Sequence, residues 1–152
     1  MNKILRISVM SLLALISSIT FAQVTFDANV DKGTQTKDGK PDQVSKDGVT
    51  LSCTNAALAA VHYKTKKGEY RFYASSSVTL SATDKNIVKV EMTCSVDKRH
   101  AASNFAAQDG LVIAKETATW TGKATSITFN HSKRGWCRML PTSRDDFVKF
   151  EI

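Results

Sequence analysis

The chain predicts an all-β fold, an antiparallel jelly-roll β-sandwich, on three observations. Nine or ten short stretches alternate apolar and polar residues with a β-branched and aromatic bias, the period that a strand with one buried face requires. Turn signals separate successive stretches, with none of the crossover helices that parallel pairing needs. No stretch shows a convincing amphipathic helical period. The strands outnumber those of a minimal immunoglobulin domain, and the Cys…Trp…Cys spacing of that fold is missing, which favours the jelly roll. Residues 118–132 are the clearest anchor. There Ile127 and Phe129 alternate with Ser126 and Thr128, and Gly122 reads as a tight reversal before them.

Residues 1–22 read as an export signal. Lys3 and Arg6 form a basic start, residues 7–21 an apolar stretch short for a membrane span, and Thr20 and Ala22 put small residues at −3 and −1. Cleavage after Ala22 is expected, against the alternative of an uncleaved anchor, giving a secreted or periplasmic protein with no membrane attachment. Gln23, where a lipoprotein would have cysteine, argues against a lipid anchor. Residues 23–152 then form one domain large enough for a proper core. Loss of Lys3 and Arg6 lowers the formal charge of +7 by two. The remaining positive clusters (Lys64, Lys66 and Lys67; Lys98 and Arg99; Lys133 and Arg134) neighbour turn residues and read first as solvated loop tips. No basic groove interleaved with aromatics is visible, so nucleic acid is not an expected partner.

Taken in order, residues 24–26 open the domain as a short strand. Residues 31–46, rich in Lys, Asp, Gly and Thr, predict a long surface loop. Asp47-Gly48 marks a turn into the alternating strand 49–53. Residues 56–61, all Ala, Leu and Val, allow a loose helical turn without deciding it. Residues 69–73 predict a strand with Tyr70 and Phe72 inward and Arg71 outward, and residues 78–81 another. In residues 87–95, Val88, Val90, Met92 and Cys94 share one face. Residues 111–115, 117–120, 136–140 and 147–152 complete the set, the last with Val148, Phe150 and Ile152 inward.

The order of short motifs resembles that of small secreted or surface modules of Bacteroidetes-type bacteria, which follow a DGVTIS, RLY, KIxFTxS, WTGxAxxVTF, KIEV pattern. The matching stretches are DGVTLS at 47–52, YRFY at 70–73, VKVEMTCS at 88–95, TWTGKATSITF at 119–129 and FVKFEI at 147–152. The resemblance spans nearly the whole of residues 23–152 and implies a jelly-roll sandwich of the galactose-binding-like kind. It implies no activity. Residues 141–146 and the three cysteines depart from the pattern.

Three cysteines in an exported chain predict one disulfide and one spare thiol; Cys53 and Cys94, at inward-facing strand ends, are the expected pair, with three buried thiols as the alternative. No catalytic set is expected. His62, His100 and His131 lie in no setting that would activate a cysteine, and Asp145-Asp146 lacks a facing carboxylate. No metal or other cofactor is expected: HxH, HExxH and CxxC spacings are absent, and Asp27, Asp31 and Asp42 read as turn aspartates before they read as calcium ligands. The ligand-contact candidates are Trp136, Tyr63, Tyr73 and Trp120, because sugar rings stack on exposed aromatics, although strand-end tryptophans more often pack into cores. These residues suggest a non-catalytic, carbohydrate-binding-like module for a glycan or a cell-surface partner. The alternatives are an envelope interaction or structural protein, or an inhibitor of another exported protein, with a hydrolase last. The oligomeric state is left open.

Overall fold

The computed structural model describes residues 22–37, 40–97, 100–131, 137–139 and 148–152; within the last two stretches only Met139 and Ile152 have described side chains. Residues 1–21, where an export signal is expected, and Trp136 lie outside the described residues. Among the described residues there are twelve strands: β1 (Gln23–Phe26), β2 (Asp42–Lys46), β3 (Val49–Cys53), β4 (Ala56–Val61), β5 (Gly68–Phe72), β6 (Ser77–Ala82), β7 (Ile87–Thr93), β8 (Leu111–Ala114), β9 (Thr117–Ala124), β10 (Ser126–Asn130), β11 (Cys137–Met139) and β12 (Val148–Glu151). Among the described residues the one helical element is the 3-10 turn Ala102–Asn104, and no helix is long and apolar enough to cross a membrane.

All pairings are antiparallel and fall into three sheets, ordered β1-β12-β7-β9-β8, β10-β6-β3-β2 and β11-β5-β4. The all-β, antiparallel expectation holds, and the arrangement fits a β-sandwich. One contiguous core joins the sheets. Phe26, Val90 and Met92 come from the first, Leu51, Leu80 and Phe129 from the second, and Leu58, Tyr70 and Phe72 from the third. Each of these side chains lies at an alternate position of its strand, so the pleat alone sends it inward. The chain crosses from the first sheet to the second at Thr125, between β9 and β10, where the Thr125 carbonyl accepts the Ala82 N–H at 2.9 Å.

Four local expectations are corrected. Residues 31–46 are not one solvated loop, because Asp42–Lys46 pairs along β3 as β2 and buries Asp42 and Val44. Residues 56–61 form strand β4 and not a helical turn; their small side chains pack on a sheet as readily as on a helix, and the ladder to β5 decides. In β7 the inward residue is Ile87 and not Val88, since a register shift between Ile87 and Lys89 changes the alternation there.

The fourth concerns Gly122, which is no reversal: it sits inside β9, two residues beyond Trp120. A Cβ on Gly122 would lie 2.3 Å from Trp120 Cζ2, so the indole occupies the space a side chain would take. The same indole donates from Nε1 to the Asp109 carbonyl at 3.1 Å and is buried. Gly122→Val should therefore displace the indole and lower unfolding stability by about 1–3 kcal/mol in urea titrations. An unchanged transition would show that the indole does not rest on this glycine.

Candidate functional site

Asp42, the first residue of β2, is 6% exposed and is the polar centre of the fold. Its Oδ1 accepts Thr34 N–H at 2.9 Å, Thr34 Oγ1 at 3.2 Å and its neighbour Gln43 N–H at 3.0 Å. Its Oδ2 accepts Gln35 N–H at 3.1 Å and Leu58 N–H at 2.9 Å. Ionised, this carboxylate offers only acceptors, and the fold aims backbone donors at both oxygens. Gly33 makes the approach possible, since a Cβ there would lie 2.5 Å from Oδ2. Backbone bonds continue the seam: Gly33 N–H reaches Leu58 O at 3.3 Å, Ala59 N–H reaches Gln35 O at 2.9 Å, and Ala56 N–H reaches Lys40 O at 3.1 Å. Gly33, Gln35 and Lys40 thus line the outer side of β4.

Beside this carboxylate lies an open cleft of about 330 Å3 lined by Thr34, Pro41, Asp42, Gln43, Ser52 and Cys53. It does not carry nucleophilic chemistry. The Cys53 thiol is free and buried, and burial, reinforced by the Asp42 charge, pushes its pKa upward and away from the reactive thiolate. Because Cys53 is free, the expected Cys53–Cys94 disulfide is not formed. The two occupy ends of strands in different sheets, β3 in the second and just past β7 in the first, which linear spacing does not reveal.

The other aspartates of the first loop are also engaged. Asp27 Oδ1 accepts the backbone and side-chain amides of Asn29 at 2.8 and 2.9 Å. Asp31 Oδ2 accepts Asp27 N–H at 2.8 Å and the Lys46 amine at 2.9 Å, and the Asp31 carbonyl accepts the buried Tyr70 hydroxyl. Burial first, then Asp31, Asp27 and Asp42, holds that phenol protonated. Among the described residues no group of three or more His, Cys, Asp or Glu side chains is placed to hold a metal ion. Asp145 and Asp146 lie outside the described residues.

The aromatic candidates separate. Trp120 is 5% exposed and belongs to the core, which removes it as a contact residue; an indole is large enough to be buried wherever a glycine leaves room. Tyr63 and Tyr73 stand at opposite ends of the β4–β5 hairpin. Val61 pairs with Gly68 at one end, and Ala56 with Phe72 at the other. They therefore do not form one site. Tyr73 is half-buried and its N–H donates to Asn55 O at 3.2 Å.

Tyr63 is 65% exposed on a tightly closed turn. His62 N–H donates to Lys67 O at 2.8 Å, Lys66 N–H donates to His62 O at 2.9 Å, and Thr65 N–H donates to His62 Nδ1 at 3.1 Å. The His62 ring lies 5.3 Å from the Tyr63 ring, and Lys64 Nζ stands 5.5 Å from the tyrosine centroid. Lys66 and Lys67 are exposed on the same turn. Sequence reasoning named this tyrosine as a stacking aromatic and read the lysines beside it separately, as a solvated loop tip. It missed Asp42 as a centre, for which the one sequence signal is an aspartate directly before an alternating stretch.

His131, just past β10, is 5% exposed, its ring 4.4 Å from that of Phe105 and 5.9 Å from that of Phe72. Neither ring nitrogen has a hydrogen-bond partner. Burial, outweighing an opposing influence of the Ser76 backbone, lowers its pKa from 6.5 to about 4. This imidazole is a neutral core ring and not a base waiting for a nucleophile.

Two outcomes follow from these polar centres. Asp42→Asn turns one acceptor oxygen into a donor that faces either the Thr34 and Gln43 N–H or the Gln35 and Leu58 N–H; it should cost about 1–3 kcal/mol, and hydrogen exchange should accelerate first at one of these pairs of amides. Exchange there no faster than in the parent would remove Asp42 as the organiser of the seam. The unfolded chain takes up a proton on His131 near pH 6.5 whereas the folded chain resists it to about 4. Stability from this group is thus present above 6.5 and lost as pH falls toward 4, by about 3 kcal/mol in all. Urea midpoints between pH 7 and 4 should flatten in His131→Phe relative to the parent; equal slopes would exclude His131 as the source.

No protein-family model, curated protein or solved structure matches this chain.

Proposed function

We propose that the chain is an exported, non-catalytic binding module of jelly-roll, galactose-binding-like type that engages a glycan of a cell surface through the tip of the β4–β5 hairpin. The observation that carries this reading is Tyr63, 65% exposed on a turn closed by three hydrogen bonds and flanked by Lys64, Lys66 and Lys67. An aromatic face held out in this way loses little conformational entropy when a sugar ring stacks on it. The surrounding ammonium groups favour an acidic saccharide over a neutral one. A non-catalytic role is supported by the surroundings of the nucleophile and base candidates, since the Cys53 thiol and the His131 ring are both buried.

A charge-led reading, in which the chain binds or inhibits an acidic exported protein, draws on the same lysines and differs in its salt response. Glycan-array binding at two salt concentrations should persist at the higher one if stacking dominates and vanish if charge dominates. Tyr63→Ala should weaken glycan binding about tenfold, as expected for loss of a stacking face worth roughly 1–1.5 kcal/mol, with an unchanged thermal midpoint. Undiminished binding by Tyr63→Ala would exclude the hairpin tip as the site.

A further inference from the structure

The open edge of the five-stranded sheet carries a second recognition surface, independent of Tyr63. Strand β8 has the sequence Leu-Val-Ile-Ala and closes the order β1-β12-β7-β9-β8. Val112 is 64% exposed and Ile113 37%, and the strand contains no lysine, proline or bulge of the kind that usually protects an edge. Other edges are treated differently. Gly33, Gln35 and Lys40 bond along β4, and on β1 the Lys46 amine donates to Thr25 O at 2.8 Å. Among the described residues no strand or loop pairs with the outer side of β8.

The ladder shows which backbone groups face outward. Thr121 N–H donates to Gly110 O at 3.0 Å, so 110 and 121 form a hydrogen-bonded pair. Alternation in the β8–β9 register makes Val112 with Thr119 and Ala114 with Thr117 the next such pairs. Leu111 and Ile113 therefore aim their outer backbone groups away from the sheet. Leu111 N–H is satisfied by Gln108 O at 3.1 Å, leaving the Leu111 carbonyl and both groups of Ile113 directed outward.

We propose that β8 pairs antiparallel with β8 of a second copy of this chain about a two-fold axis at Val112. The Leu111 N–H is already taken, so a Leu111-on-Leu111 pair would lack its donors, and the outward groups leave two registers; in the one chosen, Leu111 faces Ile113 of the second copy and Ile113 its Leu111. That alignment places Val112 opposite Val112 and brings Asp109, at one end of the strand, beside Lys115 of the second copy, at the other. Both side chains are exposed, and the symmetry makes the contact twice. The alternative antiparallel register, Ile113 on Ile113, sets Lys115 against Leu111 and lacks this charge match. Pairing would continue the sheet across the axis and cover the apolar side chains of both strands.

Sedimentation velocity on the purified chain should show a reversible monomer–dimer equilibrium. Val112→Lys, which opposes two ammonium groups at the axis, should weaken dimerisation at least about tenfold without changing the thermal transition of the monomer. Val112→Cys should oxidise to a covalent dimer, because directly opposed residues of a non-hydrogen-bonded pair lie about 4.5 Å apart at Cα, within disulfide reach. Val30→Cys, at a residue 74% exposed just past β1 at the opposite edge of the sheet, should not. Asp109→Lys should weaken the dimer, and the double exchange Asp109→Lys with Lys115→Asp should restore it. A chain that stays monomeric at millimolar concentration, cross-linking no better at 112 than at 30, or a charge exchange without rescue would each overturn the pairing. None of these outcomes depends on whether Tyr63 binds a glycan.

Discussion

One buried carboxylate holds together parts of the chain that have no apolar reason to meet. Asp42 receives donors from Thr34, Gln35 and Leu58 as well as from its own neighbour, and so ties a polar segment, the start of β2 and the outer side of β4 to a single point. Residues 31–37 contribute nothing to the apolar core. Their order rests on charge-assisted bonds to a group that burial would strongly penalise if those donors were absent. The dependence is mutual, since the carboxylate in turn helps to fix the segment that carries its donors. Gly33 is the steric condition for the whole arrangement.

The apolar core obeys a different logic. Phe26, Leu51, Leu80, Val90 and Phe129 arrive from separate sheets, and any of them is inward because its strand alternates. Where alternation is broken the structure compensates locally, as in β7, where a register shift turns Ile87 inward. In β9 the side chain missing at Gly122 is replaced by the indole of Trp120. The ring cluster of Phe72, Phe105, Phe129 and His131 shows the cost of this economy. An imidazole fills an aromatic position well only while it is neutral.

Function, on this reading, sits at the margins of the sandwich-like scaffold. The centre is occupied by groups that satisfy one another, so chemistry that needs an accessible nucleophile or base has no support there. The β4–β5 turn is different in kind: its backbone is closed by its own hydrogen bonds, so Tyr63 stays exposed without being loose. The edge at β8 is a third type of surface, defined by outward backbone groups more than by side chains.

What the sequence alone determined was which residues of most strands face in. Tyr70 and Phe72 against Arg71, and Val90 and Met92 against Lys89 and Glu91, are legible because side-chain direction in a strand has a period of two and needs no knowledge of the partner strand. The exposed Tyr63 was legible for a related reason, since a turn rich in lysine cannot be buried. The tertiary structure decided everything that depends on residues distant in the chain. Composition assigns Asp42 to a solvated loop, and only the donors brought by Leu58 from another strand make its burial possible. That Cys53 stays free is likewise a property of the assembled fold, as are the separate positions of Tyr63 and Tyr73, set by the pairing of β4 with β5. Local periodicity carries direction; partnership is a property of the assembled sheets.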